Sequence, residues 1–135
     1  MRFNVNNDGA IPSNLLSYAN TESNSVYLRL CRHFGIRPHP ARFPEALPEF
    51  FIKFLTDPGN LVVDIFSGSN TTGRAAERLG RRWLAIDCNR DYVAASAFRF
   101  MEGWDNESVA RYLKCIQNGR GNLLIQTQQP QSAAG

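Results

Sequence analysis

The chain has 135 residues, of which 43% are hydrophobic and 20% charged, a composition typical of one globular domain. It excludes a coiled coil, a collagen and a chain that is disordered throughout. No apolar run approaches the ~20 residues that a membrane-spanning helix needs. The N-terminus lacks the basic start and apolar block of a signal peptide, so we expect a cytoplasmic protein with no membrane partner.

The cysteines, histidines and charges carry little functional signal. The three cysteines are scattered, so we expect reduced thiols, and with two histidines they give no metal-ligand spacing and hence no metal site. The net charge of +3 comes from thirteen arginines and two lysines set against twelve acidic residues. Arginine suits phosphate contacts but also follows genomic composition, so it is weak support for nucleic-acid binding.

The first half of the chain predicts a helix followed by an extended segment. No firm element is expected in residues 1–20. From Asn24 apolar residues recur at helical spacing, and Gly35 stands where a left-handed cap is expected. The apolar residues of this helix are Tyr27, Leu30, Cys31 and Phe34. The prolines that follow predict an extended or turned stretch over residues 36–46, because proline disfavours helix at the preceding residue.

A second helix is predicted from Pro48, which fits a first helical turn. One apolar stripe of this helix should face the core, and its members are Leu47, Phe51, Phe54 and Leu55. The sequence Asp-Pro-Gly-Asn at residues 57–60 is typical of turns and should end the helix.

Two strands flanking a helix are predicted next. Residues 61–66 are apolar and rich in β-branched side chains, which predicts a buried parallel strand of a sheet interior, and residues 82–87 supply one of its two neighbours. A loop of small residues follows at 67–73, and Thr71 or Thr72 can cap a helix that Gly80 ends. Residues 82–87 predict a second strand that ends in a carboxylate.

The remaining sequence predicts two helices and a tail. Asn89 can cap a helix whose apolar face carries Val93, Ala97, Phe100 and Met101. A last helix is predicted over residues 106–117. Residues 126–135 have nothing to bury, so we expect a folded domain over residues 1–125 and a disordered tail beyond it.

Strand, glycine loop, helix, strand and acid, in this order, form half of a nucleotide-binding α/β sheet. Backbone N–H groups of the loop and of the helix that follows can hold a polar ligand at the carboxyl edge of the sheet. Asp87 lies nineteen residues after Gly68, which matches the acid that binds ribose hydroxyls about twenty residues beyond such a loop.

The loop sequence narrows the ligand. A dinucleotide fingerprint has a second glycine two residues after Gly68, where this chain has Asn70, and the Gly-Lys-Ser/Thr of a P-loop is absent. Asp64 at the strand end would repel a phosphate and attract a cationic amino group. S-adenosylmethionine carries an ammonium, a sulfonium and no phosphate, so the pattern favours it over a nicotinamide cofactor. The alternative is a loop glycine with a structural purpose alone.

Two segments resemble a known family. Residues 64–73, DIFSGSNTTG, resemble the cofactor motif of bacterial DNA amino-methyltransferases, commonly D-x-F-x-G-x-G-T-T. Residues 39–44, HPARFP, and the Leu-Pro at 47–48 resemble their second cofactor segment, which precedes the glycine loop in the permuted β class. Residues 9–12 and 92–100 further resemble the cytosine-N4 branch. The resemblance covers roughly residues 8–117 and departs from the commoner family loop at Asn70.

This resemblance implies a partial Rossmann-like, S-adenosylmethionine-dependent methyltransferase fold, an α/β fold with an incomplete doubly wound sheet. It also implies a cofactor site. Asp64, Phe66 and Gly68 would shape the methionine pocket, Asp87 would bond the ribose, and Cys88 would lie beside the adenine. The other expected cofactor-binding residues are Phe43, Ser67, Ser69, Asn70, Thr71 and Thr72.

Several of these residues have structural alternatives. Phe43 and Phe66 can be core aromatics, and Cys88 can be a small buried hydrophobe. His39 is a loop residue whose ring is expected to be hydrogen-bonded rather than catalytic. Arginines 37 and 42 could contact DNA phosphate or lie solvated on the surface.

The catalytic segment of the family is missing from this sequence. Family members position the amine of a flipped base with a Ser/Asn/Asp-Pro-Pro-Tyr/Phe segment, and this chain has no Pro-Pro dipeptide. The chain therefore resembles the C-terminal, cofactor-binding half of a DNA methyltransferase, and we assign it no catalytic residue. DNA would be its partner through the complete enzyme, beside a complementary catalytic half or a second copy. The alternatives are a non-catalytic S-adenosylmethionine-binding module and a degenerate remnant.

Overall fold

The computed structural model describes residues 15–19 and 25–119. Helices α1 and α2 precede strand β1, and helix α3 connects β1 to strand β2. Helix α4, a 3-10 helix and helix α5 complete the order. Their bounds are α1 Val26–His33, α2 Ala46–Leu55, β1 Leu61–Asp64, α3 Thr71–Arg78, β2 Arg82–Ala85, α4 Arg90–Ser96, 3-10 helix Ala97–Phe100 and α5 Asn106–Gln117.

Some predictions concern residues that the structure does not describe. Residues 15–19 form no helix or strand. The family resemblance at residues 9–12, the domain boundary at 125 and the tail at 126–135 lie outside the described residues. Within the described residues, no helix is long and apolar enough to cross a membrane.

The signals at the helix ends are confirmed in most places. Gly35 follows α1 with a φ of +65°. Helix α5 has the predicted bounds, and Oδ1 of its cap, Asp105, accepts a hydrogen bond from the Ser108 N–H at 2.9 Å. Oδ1 of Asn89 accepts from Asp91 N–H at 2.9 Å, which caps α4 as predicted.

The predicted core face of α2 is wrong. Its buried residues are Pro48 and Ile52, and Ile52 packs against Ala75 and Ala76 of α3. The predicted stripe instead leaves three side chains with exposed fractions of about half or more: Phe51 at 46%, Phe54 at 52% and Leu55 at 68%. This helix is apolar around most of its circumference, so its packing against α3 decides which face is buried.

The predicted apolar face of α4 is also partly wrong. The helix changes to 3-10 geometry at Ala97, which rotates the residues that follow relative to an α-helical projection. Val93 is exposed, whereas Phe98 and Met101 are fully buried. These two side chains join Tyr27 and Leu30 of α1 and the apolar face of α5 in the main hydrophobic core.

The two strands are parallel, as predicted, and pair from Leu61 with Arg82 to Asp64 with Ala85. Each is shorter than the predicted range, because Ile65 and Phe66 already form a turn and residues 86 and 87 are irregular. In the described part of the chain the sheet has these two strands alone. Strand β2 is the one neighbour of β1 that the sequence indicates within this chain, and the described residues hold no strand on the other side of β1.

The sheet is covered on one face. Val62 and Trp83 pack on the side of α2 and α3, and the Trp83 ring stacks on Phe100 of the 3-10 helix at 4.9 Å between ring centroids. The opposite face carries apolar side chains with exposed fractions of 49–58%. We call this the open sheet face, formed by Leu61, Val63, Ile65, Leu84 and Ile86. The expectation of a buried β1 is thus wrong for the described chain, whereas the incomplete doubly wound sheet agrees with what the family resemblance implies.

Candidate functional site

The predicted acids lie at the carboxyl edge of the sheet. Asp64 is the last residue of β1, and Asp87 follows β2 by two positions. The Ile86 N–H donates to the Asp64 carbonyl at 2.8 Å, and the Ser67 N–H donates to the Ile86 carbonyl at 3.0 Å. These bonds hold the start of the glycine loop between the two strand ends, which is where open α/β sheets bind ligands.

Asp87 holds the loop with one carboxylate oxygen and the next turn with the other. Its Oδ2 accepts from the Gly68 N–H at 2.8 Å, and its Oδ1 accepts from the Asn89 N–H at 2.9 Å. A carboxylate offers about four lone-pair sites. Asp87 can therefore keep both bonds and still accept hydroxyl donors of a ligand.

Asp64 and Phe66 form the turn where β1 ends. Oδ1 of Asp64 accepts from the Phe66 N–H at 3.0 Å, so its carboxylate is oriented by the backbone. The Phe66 side chain is 84% exposed, and Cys88 is exposed too. The core alternatives for these two residues therefore do not hold in the described structure.

Two features of the structure require a glycine at position 68. Its φ of +49° is left-handed, and a Cβ there would lie 3.1 Å from ring atoms of His39. The His39 Nδ1–H also donates to the Ala41 carbonyl at 2.9 Å, and the ring meets the Tyr92 ring edge-on at 4.6 Å. The ring is hydrogen-bonded, as expected, and it brings the second cofactor segment against the glycine loop.

The helix that follows the loop is capped by a residue other than the two predicted. Asn70, rather than Thr71 or Thr72, is the N-cap of α3, and its Oδ1 accepts from the Gly73 N–H at 3.0 Å. Asn70 has a φ of +56° and a side chain that is 1% exposed. Asparagine tolerates this left-handed region better than most residues, which explains how it replaces the family's commoner glycine.

Other loop side chains point inward. Ser67, Ser69 and Thr71 are buried, and the Ser69 and Thr71 hydroxyl oxygens lie 3.2 Å apart. These residues would meet a ligand through their main-chain groups. Thr72 is half-buried, and Phe43 of the second segment is 37% exposed.

A side chain that the sequence did not indicate as part of the site, Arg99, supports the loop, and a second one, Tyr27, packs against it. Arg99 is 6% exposed, and its Nε donates to the Ser69 carbonyl at 2.5 Å. Its guanidinium lies 4.9 Å from the centre of the Tyr27 ring. The available signal was an arginine inside the apolar run of residues 97–101, since a charge in such a run needs buried partners.

Arginines 37 and 42 differ in their surroundings. Arg42 Nη1 donates to the His39 carbonyl at 2.6 Å, so this side chain stabilises the second cofactor segment. Arg37 is exposed.

Asp87 also borders a cleft of about 530 Å³. This volume lies in the range of about 300–1,000 Å³ that is usual for small-molecule sites. The other residues lining the cleft are Arg90, Asp91, Val93, Ile116, Gln117 and Gly119. Within residues 15–19 and 25–119, no cluster of three or more His, Cys, Asp or Glu side chains could hold a metal ion.

Comparison with known proteins agrees with this fold and loop. The N6/N4 DNA methylase family model matches residues 5–98, so the chain belongs to this family of DNA methylases. Members of the family use S-adenosylmethionine. The family and the partial methyltransferase fold inferred from the sequence are confirmed.

Two of the similar curated proteins are named type II methyltransferases. The chain is 58% identical to M.PvuII of Proteus hauseri over 118 residues. This aligned region covers 87% of this chain and 35% of that protein. The chain is 46% identical over 55 residues to M2.DpnII of Streptococcus pneumoniae, covering 41% of this chain and 20% of that one. The solved PvuII DNA methyltransferase, described as cytosine-N4-specific, matches 81% of this chain with a TM-score of 0.76 and 54% identity, over 39% of its own length. The chain thus spans about a third of the M.PvuII length.

Proposed function

We propose that this chain is the cofactor-binding part of an S-adenosylmethionine-dependent DNA methyltransferase that modifies cytosine N4 and acts in the bacterial cytoplasm. The arrangement of Asp64, Gly68 and Asp87 at one sheet edge carries the proposal, because it leaves carboxylate acceptors for an ammonium and for ribose hydroxyls beside the glycine loop. The 58% identity to M.PvuII supports the cytosine-N4 assignment.

The described residues fit this cofactor chemically. Asp87 accepts the ribose hydroxyls with its remaining lone pairs. Asp64 attracts the ammonium of the methionine part, and the exposed ring of Phe66 covers that end. Cys88 lies exposed beside Asp87, where the adenine is expected, and Phe43 closes the pocket from the second segment. The main chain of the loop would face the ligand at Ser67, Gly68, Ser69, Asn70, Thr71 and Thr72.

The transferable methyl group would be the only reactive group at this site. S-adenosylmethionine supplies a methyl activated by the positive sulfur that carries it. The residues of this chain bind and orient the cofactor. The group that positions the target amine would come from a Pro-Pro-containing segment, which this sequence lacks. DNA recognition would belong to that other part as well.

The open sheet face would receive this catalytic part. Its five apolar side chains are half exposed, whereas sheets of this fold class are covered on both faces. The solved PvuII enzyme has about 60% of its chain outside the region that this chain matches, which is ample to cover the face. We therefore propose that the catalytic part of the enzyme, which this sequence does not contain, packs on the open sheet face.

Transfer of labelled methyl groups to mixed-sequence DNA tests the proposal. The chain alone should incorporate no label, and co-expression with the part of M.PvuII that the chain does not match should restore incorporation. Asp87→Ala in the same pair is the control, since it should reduce the gain at a limiting concentration of the cofactor. Robust incorporation by the purified single chain would contradict the division of labour. A pair that binds the cofactor but transfers nothing would favour the non-catalytic module instead.

A further inference from the structure

Two buried side chains from outside both cofactor segments connect those segments. Tyr27 belongs to α1 and Arg99 to the 3-10 helix, and their exposed fractions are 1% and 6%. One contacts the second segment at His39, and the other contacts the glycine loop at Ser69.

The Arg99 guanidinium holds the loop at two points. Its Nε donates to the Ser69 carbonyl at 2.5 Å, and its Nη2 donates to the Ser69 hydroxyl at 3.0 Å. A buried charge is costly unless several partners compensate it. The planar, forked donor set of arginine fixes both the position and the orientation of Ser69, which a lysine ammonium would not do.

Tyr27 connects Arg99 to the second segment. Its ring receives the guanidinium at 4.9 Å from the ring centre, a cation–π contact. Its hydroxyl oxygen accepts from the His39 N–H at 2.9 Å. Burial raises the pKa of Tyr27 to about 12, so the hydroxyl stays neutral at physiological pH.

The contacts form a closed circuit. The His39 backbone is bonded to Tyr27, Tyr27 contacts Arg99, and Arg99 is bonded to Ser69. The His39 ring also packs directly against Gly68, the residue before Ser69. A Cβ at position 68 would lie only 3.1 Å from atoms of this ring. A shift of either segment therefore strains the other through two independent routes.

We propose that Tyr27 and Arg99 are positioning residues that set the glycine loop against the 39–44 segment, so that cofactor affinity depends on them although both side chains are buried. This rests on the proposed function, since it assigns a role toward the cofactor of that site.

Titration calorimetry of the full chain with S-adenosylhomocysteine tests this role in conservative variants. Tyr27→Phe keeps the ring and removes the acceptor for the His39 N–H, so the dissociation constant should rise about 3- to 10-fold. Arg99→Lys keeps the charge and removes the forked donors, and should weaken binding about 10-fold or more. The double variant should lose less than the product of the two single losses, because the residues act in series.

Matched substitutions separate positioning from stability. Tyr112→Phe changes a half-buried tyrosine of α5 that contacts Trp104. Arg81→Lys changes an arginine with a comparable set of bonds, to Thr56 and Leu79. Both controls should keep the wild-type dissociation constant at a temperature where they are folded, whatever they lose in unfolding free energy.

Two results would overturn the proposal. One is a dissociation constant within twofold of wild type in folded Tyr27→Phe and Arg99→Lys. The other is a loss in the controls as large as in these variants. Should wild type itself bind no ligand, the proposed function is wrong, and amide hydrogen exchange decides the positioning role by itself. Tyr27→Phe should then accelerate exchange at Gly68 and Ser69 as well as at His39, and acceleration confined to His39 would refute the role.

Discussion

The side chain of Asn70 lies directly over Gly73. Asn70 Oδ1 accepts from the Gly73 N–H at 3.0 Å, and a Cβ on Gly73 would lie 2.8 Å from Asn70 Cγ. Real Cβ atoms essentially never come that close to another atom. The two positions therefore depend on each other: Asn70 can cap α3 only because residue 73 has no side chain.

This relationship predicts a change of sign between two backgrounds. Gly73→Ala should lower the free energy of unfolding of the wild-type chain by about 1–3 kcal/mol, since the buried Asn70 side chain must move and the cap is lost. In an Asn70→Gly background the obstacle is gone, and the same substitution should be neutral or stabilise by up to about 1 kcal/mol, as alanine does in a helix. Urea unfolding of the four proteins measures both effects. An equal loss in the two backgrounds would show that Asn70 is not the obstacle.

Tyr27 predicts a specific sensitivity to alkaline pH. Its pKa is raised to about 12 in the folded chain from 10.0, chiefly by burial. Below pH 10 both folded and unfolded states keep the phenolic proton; between pH 10 and 12 the unfolded state loses it first, so folding stability falls as pH rises. A difference of about 2 pKa units corresponds to a loss of about 2–3 kcal/mol.

Tyr27→Phe should lack this loss. The unfolding free energy of wild type minus that of the variant should decrease between pH 10 and pH 12, which denaturant unfolding at a series of pH values measures. A difference that stays constant over that range would mean that the phenol titrates alike in both states.

The open sheet face predicts self-association of the isolated chain. Half-exposed apolar side chains and unpaired strand edges invite another chain. Sedimentation velocity at tens of micromolar should therefore show dimers or larger species. Val63→Thr combined with Leu84→Gln should shift the distribution toward monomer. Leu55→Gln, on the exposed face of α2, is the control and should change it little. A wild-type chain that sediments as a dispersed monomer would contradict the role of this face.

Local signals sufficed for much of the fold. The Asn89 cap, the left-handed Gly35 and the bounds of α5 follow from a few neighbouring residues. The parallel pairing of the strands follows from the helical connection between them. The family motifs indicated both acids and the glycine loop, and the structure brings these to one sheet edge.

What the sequence did not predict depends on packing at a distance. The buried face of α2 is chosen by the contact of Ile52 with α3, because the helix offers apolar residues on several sides. Asn70, and not Thr71 or Thr72, is the N-cap of α3, and its backbone is left-handed. The capping propensity of threonine gives no information about this backbone conformation. The link between Tyr27 and Arg99 joins residues 72 positions apart, and each looked like part of a separate helix.

The central claim is that the edge between Asp64 and Asp87 holds S-adenosylmethionine, and calorimetric titration with S-adenosylhomocysteine tests it most directly. Wild type should bind saturably with one site per chain. Asp87→Ala should weaken binding about 10- to 100-fold, because it removes charge-assisted hydrogen bonds worth about 1.5–3 kcal/mol, while Glu107→Gln on α5 should bind like wild type. No binding at millimolar ligand by a chain with a cooperative unfolding transition would contradict the claim.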